Sequence, residues 1–179
     1  MEQSVAGGQP LGADLLKGVA AAPGAAAAPV ARMGPRPTLP DHKPTGTDPE
    51  TESGAARQAL GRVADGFDAQ AGVREGEAAG VLGALAVMAR DPELARRAGE
   101  RAEEGEPAAW AVHAACEDYR DLLTAAGGYL AERASDLVDI RDRAVALLLD
   151  EPMPGLPDPG VDHVLVADDL APADTVRLD

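Results

Sequence analysis

The chain has 179 residues, long enough for one ordinary domain or two small ones that share a segment, and too short for a large multidomain enzyme. Acidic residues outnumber basic ones 31 to 16, for a net charge of −15, and no basic stripe interrupts them, which excludes nucleic-acid backbone binding and suits a partner with a positive face. With 45% apolar residues but only one Phe, one Trp and two Tyr, any core must be built from Ala, Val and Leu, favouring close-packed helices.

In chain order, residues 1–14 are small and polar, with Gly7, Gly8 and Pro10, and are expected to be a disordered extension. Leu15 to Met33 is mostly apolar and is interrupted by Pro23-Gly24, which predicts a strand, a turn and a second strand. The Ala-rich run there is broken by Pro23, Gly24 and Pro29 and preceded by Glu2 and Asp14, so neither an export signal nor a membrane span is expected. Residues 34–54 carry Pro35, Pro37, Pro40, Pro44 and Pro49 and read as an extended loop.

From residue 55 to 150 the pattern turns helical. The first helix is predicted over Ala55 to Gln70, with Leu60, Val63 and Phe67 on one face, and the second over Arg74 to Arg90, with Val81, Leu85 and Met88 on a stripe and Leu82 beside it. Asp91-Pro92-Glu93 is a helix-start signal: a capping carboxylate, a proline suited to the first turn and an acid at the positive end of the dipole. A short third helix to Glu104 follows. A fourth, from Pro107 to Ala126, carries Trp110, His113, Cys116, Tyr119 and Leu123 at helical spacing. After a break at Gly127-Gly128 the fifth runs from Tyr129 to Leu149, with Leu130, Ala134, Leu137, Ile140, Ala144 and Leu148 inward and Glu132, Arg133, Asp136, Asp139, Asp142 and Arg143 outward. Residues 151–159, with four prolines, form a linker. Val161 to Ala167 is a β-rich run that must pair with the apolar segment near the N-terminus, which makes the helices an insertion into a small α/β unit built from residues 15–33 and 160–179. The fold class is therefore α+β, with an unpaired sheet edge.

Several stretches resemble the N-terminal part of the bacterial enzyme I family, the phosphoenolpyruvate-protein phosphotransferases of the sugar phosphotransferase system. Leu16-Lys17-Gly18-Val19-Ala20-Ala21-Ala22-Pro23-Gly24-Ala25-Ala26 is similar to its opening strand and Ser-Pro-Gly-Ile-Ala turn. Val81-Leu82-Gly83-Ala84 through Met88-Ala89-Arg90-Asp91-Pro92-Glu93-Leu94 resembles the junction at its Asp-Pro-x-Leu helix start. Tyr129-Leu130-Ala131-Glu132-Arg133-Ala134-Ser135-Asp136-Leu137-Val138-Asp139-Ile140 is close to its Tyr-Leu-x-Glu-Arg-Ala-x-Asp-x-x-Asp-Ile stretch. Val164 through Thr175 is similar to its returning strand and Asp-Leu-x-Pro-Ser-x-Thr segment.

The resemblance implies a helical HPr-binding bundle inserted into an incomplete phosphohistidine (swivelling) domain. In that family phosphoenolpyruvate, held with magnesium by a C-terminal barrel, phosphorylates a histidine in a Gly-Gly-x-x-Ser/Thr-His stretch, which passes the group to the carrier HPr in the cytoplasm. His42, His113 and His163 lack that context, so the chain by itself is expected to be a scaffold without catalysis, to hold no cofactor or metal, and to be a monomer. The spread-out histidines and Cys116 lack metal-ligand spacing, and Asp168-Asp169 and Glu103-Glu104 read as solvated charges. The docking residues carried over by matching stretches are Glu77, Val87, Met88, Glu93, Leu94 and Arg133. The same apolar pattern also allows Val87, Met88 and Leu94 to be core, and a non-catalytic acidic helical-bundle interaction protein is the alternative reading.

Overall fold

The computed structural model describes residues 23–25 and 27–178. The expected extension over residues 1–14 and the first strand of the expected pair lie outside them. The second is observed as β1 (Val30–Arg32), followed by an extended segment that ends at Asp48.

Helix α1 (Pro49–Ala71) starts six residues earlier than the sequence pattern suggested. Asp48-Pro49-Glu50 repeats the start signal of Asp91-Pro92-Glu93: the Asp48 carboxylate accepts from Thr51 N at 2.9 Å, Pro49 takes the first turn, and Glu50 and Glu52 meet the positive end of the dipole. The proline counted as the last of the loop thus begins the helix. Its buried face includes Ala56, Leu60, Val63, Ala64 and Phe67, as the spacing requires.

Helices α2 (Gly76–Ala89), α3 (Pro92–Glu103) and α4 (Ala108–Ala126) follow. Asp91 Oδ1 accepts from Glu93 N at 2.8 Å and caps α3, while Glu52 of α1 accepts from Ala108 N at 2.6 Å and satisfies the uncapped start of α4. On α4 the buried face is Ala108, Ala111, Val112, Ala115 and Cys116, rotated from the predicted stripe; Trp110, His113, Tyr119 and Leu123 are only half-buried. Small alanines let α1 and α6 approach here, where Trp110 would hold them apart.

The predicted last helix is broken into α5 (Gly128–Glu132), a 3-10 turn (Arg133–Ser135) and α6 (Asp136–Leu149). Leu137, Ile140 and Ala144 point into the core as expected, but Leu130 is exposed, and Asp136, Asp139, Asp142 and Arg143, expected in solvent, are buried. Arg143 and Asp139 face the returning limb, Arg143 Nη2 lying 3.7 Å from Asp174, whereas Asp142 pairs with Arg141 and with Arg36 of the segment after β1, and Asp136 pairs with Arg133. β2 (Val164–Val166) pairs with β1 in parallel, Val30 opposite Val164 and Arg32 opposite Val166, and leads to α7 (Pro172–Thr175), whose Ala173 and Asp174 are buried. Two neighbouring parallel strands separated by the whole helical bundle confirm an insertion topology.

The core joins α1, α2, α3, α4 and α6 through Leu60, Phe67, Leu82, Leu85, Leu94, Val112, Leu137 and Ile140, each worth about 1.5–3 kcal/mol when withdrawn from water. Alanines fill the space between them, and Phe67 is the one aromatic ring fully buried among the described residues.

Candidate docking groove

Helix α2 is apolar on nearly every side, so burying Leu82, Leu85, Ala86 and Ala89 leaves Val87 73% exposed and Met88 half-exposed. These two form one wall of an open groove of about 720 Å³. Its floor is the α2–α3 junction, Arg90 to Pro92, together with Tyr119 and Leu123 of α4; its other wall is Tyr129, Leu130 and Arg133. Tyr129 is 65% exposed and Leu130 47%, so the groove carries the kind of contiguous apolar surface that marks an interaction site.

The junction is held firmly. Asp91 bonds in two directions, capping α3 through Oδ1 and accepting from the Tyr119 hydroxyl through Oδ2 at 2.7 Å. Burial, reinforced by that carboxylate, pushes the Tyr119 phenol up to about 12, so it stays a donor at any physiological pH. Arg90 is paired with Asp65, at 2.6 Å, and with Asp68 of α1. Across the groove, Arg133 donates to the Tyr129 hydroxyl from Nε at 3.0 Å and Nη2 at 2.6 Å, sits 5.1 Å from the ring centroid, and reaches Asp136 at 3.2 Å.

Of the sequence-derived docking residues, the structure brings Val87, Met88 and Arg133 together in this groove. Leu94 is a correction: it is fully buried between α3 and the core and offers no surface to a partner. Glu93 lies one turn away with its carboxylate taken up by Arg96 and Arg97, both at 2.7 Å; the Arg96 hydrogen bond is the main reason its carboxyl is pulled down to about 2. Glu77 is exposed in the first turn of α2, outside the groove lining. Helical spacing assigns Tyr119, Leu123 and Leu130 to apolar stripes and gives Tyr129 only as the start of the fifth predicted helix, so none of the four stands out as a site residue in the sequence. For Tyr119 and Leu123 the signal was that they are surplus apolar residues on a helix already supplied with a buried face, and for Tyr129 and Leu130 that they follow directly on the Gly127-Gly128 break.

The histidines are elsewhere. His42 is exposed, His113 is half-buried on α4 with its imidazole pushed down mainly by burial, and His163 Nδ1 lies 3.0 Å from Val161 O. Among the described residues no group of three His, Cys, Asp or Glu is placed to hold a metal ion, and no helix is long and apolar enough to cross a membrane. Cys116 is buried, and desolvation pushes its thiol up to about 12.

Residues 17–133 match the family described as PEP-utilising enzyme, N-terminal. The chain belongs to this family. It is 46% identical over 165 residues to the phosphoenolpyruvate-protein phosphotransferase of Streptomyces coelicolor, an alignment covering 92% of this chain and 30% of that protein. Among solved structures it resembles the NMR solution structure of Enzyme I (nEIt), with a TM-score of 0.67 and 27% identity over 83% of this chain and 62% of the other. It also resembles the N-terminal domain of Enzyme 1 - Nitrogen, with a TM-score of 0.61 and 25% identity over 85% and 64%. Membership in the PEP-utilising family makes the likeness of the bundle one of descent rather than of shared apolar pattern. The chain spans under a third of the Streptomyces relative it matches and about two thirds of the solved domains.

Proposed function

We propose that this chain is the carrier-docking part of an enzyme I, and that HPr binds in the groove between the α2–α3 junction and α5. The exposed apolar lining of Val87, Met88, Tyr129 and Leu130, set on the helical insertion of a family member, supports this reading. The groove combines this apolar lining with charged groups, Arg90 and Asp91 in its floor and Arg133 on one wall, and the acidic chain as a whole favours encounter with a basic partner face.

In the full reaction this reading envisages, phosphoenolpyruvate donates a phosphoryl group to a histidine, and the docked HPr accepts it during sugar uptake. The chain's own residues bind and orient the carrier in this reading. Magnesium and phosphoenolpyruvate belong, in this reading, to the family's barrel, and this chain holds no cofactor and acts as a cytoplasmic monomer.

The test is titration of isotopically labelled Streptomyces coelicolor HPr with the purified chain, followed by chemical shift. Localised shifts on HPr that disappear with Met88→Asp, a change that puts a charge into the apolar wall, are expected. Absence of shifts with a folded chain would overturn the reading.

A further inference from the structure

The two walls of the groove differ in how they are held. The α2–α3 wall is fixed by the Tyr119–Asp91 hydrogen bond and by the Arg90 pairs to α1. The opposite wall, α5, has no buried residue at all and is reached through two consecutive left-handed glycines, Gly127 at φ 72° and Gly128 at φ 56°. A Cβ added at either glycine would meet nothing within 4 Å, so these glycines serve the backbone conformation and not close packing. At its far end the strap is anchored, since Ala134 and Asp136 are 8% and 4% exposed. Within it, Arg133 grips Tyr129 across one turn, through the hydroxyl and over the ring, so that α5 holds together as a unit.

Building on the docking reading above, we propose that α5 is a hinged strap: on carrier docking it rotates about Gly127–Gly128 and lays Tyr129 and Leu130 over the docked surface. The physical drive is burial of the two large apolar side chains that the free chain leaves exposed. The hinge explains why they stay exposed: the glycines break α4 before Tyr129, and α5 buries none of its residues. Closure of a short loop-tethered element at one end of a rigid framework is a common gating motion.

Amide hydrogen exchange on the whole chain, with and without Streptomyces coelicolor HPr, tests this, beside the double variant Gly127→Ala/Gly128→Ala. In the free chain the amides of residues 128–133 should exchange at least tenfold faster than those of α3, and HPr should slow them by about tenfold or more. Alanine is strained at both positive-φ positions and favours running α4 on through them, which carries Tyr129 away from the groove; the double variant should bind HPr roughly tenfold more weakly while keeping a folded circular-dichroism spectrum at a lowered melting temperature. Bound HPr with unchanged strap exchange, or a double variant that binds as tightly as the parent, overturns the strap and leaves the docking reading standing. No HPr binding by any measure overturns the docking reading, and closure over the carrier with it.

Discussion

Replacing Arg143 by methionine probes the charges buried between α6 and the returning limb. Arg143 and Asp139 are 7% and 6% exposed at their side chains, with Arg143 Nε donating to Asp139 Oδ1 at 2.8 Å; Asp174, 3% exposed, lies 3.7 Å from Arg143 Nη2. Asp139 Oδ2 and Asp174 Oδ1 have no hydrogen-bond partner. Methionine keeps much of the side-chain volume over the Phe67 ring, which the guanidinium approaches to 5.1 Å, but leaves both carboxylates uncompensated. Breaking such a group by removing one partner costs about 3–5 kcal/mol, a fifth or more of a typical domain's ~5–15 kcal/mol stability. With a urea slope of about 2 kcal/mol per molar, the midpoint of a circular-dichroism melt at pH 7 should fall by roughly 2 M. Arg143→Met/Asp139→Leu should recover part of the loss, because the second change removes one of the two carboxylates left unpaired while Asp174 remains.

The deficit should also shrink in acid. Burial is the main cause holding the Asp139 carboxyl above its ordinary value, with Arg143 opposing it and the neighbouring Asp174 and Asp142 adding to it. A carboxyl raised in the folded state contributes stability below its unfolded value and loses that contribution as pH rises through the folded value. Removing Arg143 raises it further, so the single variant should lie closer to the parent at pH 5 than at pH 7. A midpoint shift under about 0.5 M at pH 7, or a double variant no better than the single, would show that these charges are not desolvated in solution and refute the reasoning.

Two further substitutions and one titration test local contacts. Asp91→Ala removes both the α3 cap and the acceptor for Tyr119; it should destabilise by about 2 kcal/mol, twice the effect of Tyr119→Phe, and an ultraviolet pH titration should show the Tyr119 phenol ionising below its parent value of about 12. Glu93 should titrate in carbon-detected NMR near 2, far below an ordinary glutamate, so its favourable pairing is present above the ordinary value and lost as pH falls through the lowered one; 1 M salt should move it back up, since it is a surface group. Gly99→Ala puts a Cβ against the Arg57 guanidinium, which can swing away at the expense of its 2.9 Å pair with Glu103; the exposed pair is worth at most about 1 kcal/mol and alanine's helix preference returns about as much, so thermal melting should hardly change.

Much of this architecture was legible because it rests on local chemistry. The Asp91-Pro92-Glu93 start, the breaks near Gly72 and Gly127-Gly128 and the β-rich Val164–Val166 run each have a short-range cause, and pairing of that run with an N-terminal apolar segment follows from the instability of a lone strand. The Asp48-Pro49-Glu50 start carried the same signal and was hidden by the prolines before it. What failed was reading α6 as a one-faced helix. Asp136, Asp139 and Asp142-Arg143 recur every three or four residues, so they form a stripe as regular as Leu137, Ile140 and Ala144; regular spacing of charge was the sign of a second packed face, but its distant partners lie far off in sequence, Asp174 some thirty residues after Arg143 and Arg36 about a hundred before Asp142.

The groove was half-legible for a related reason. On α2 the residues Val81, Leu82, Leu85, Val87 and Met88 surround the axis, so periodicity cannot say which of them remain outside once the core is full; the contacts of α1 and α6 decide it, taking Leu82 and Leu85 and leaving Val87. Leu94 and Val87 sit seven residues apart across one junction and have opposite fates, because Asp91 turns α3 so that Leu94 faces inward. A docking surface on such an alanine-packed bundle is therefore built from apolar side chains that the small core has no room to admit. Enlarging a core alanine would move the core, whereas Val87, Tyr129 and Leu130 are free to change with the partner they meet.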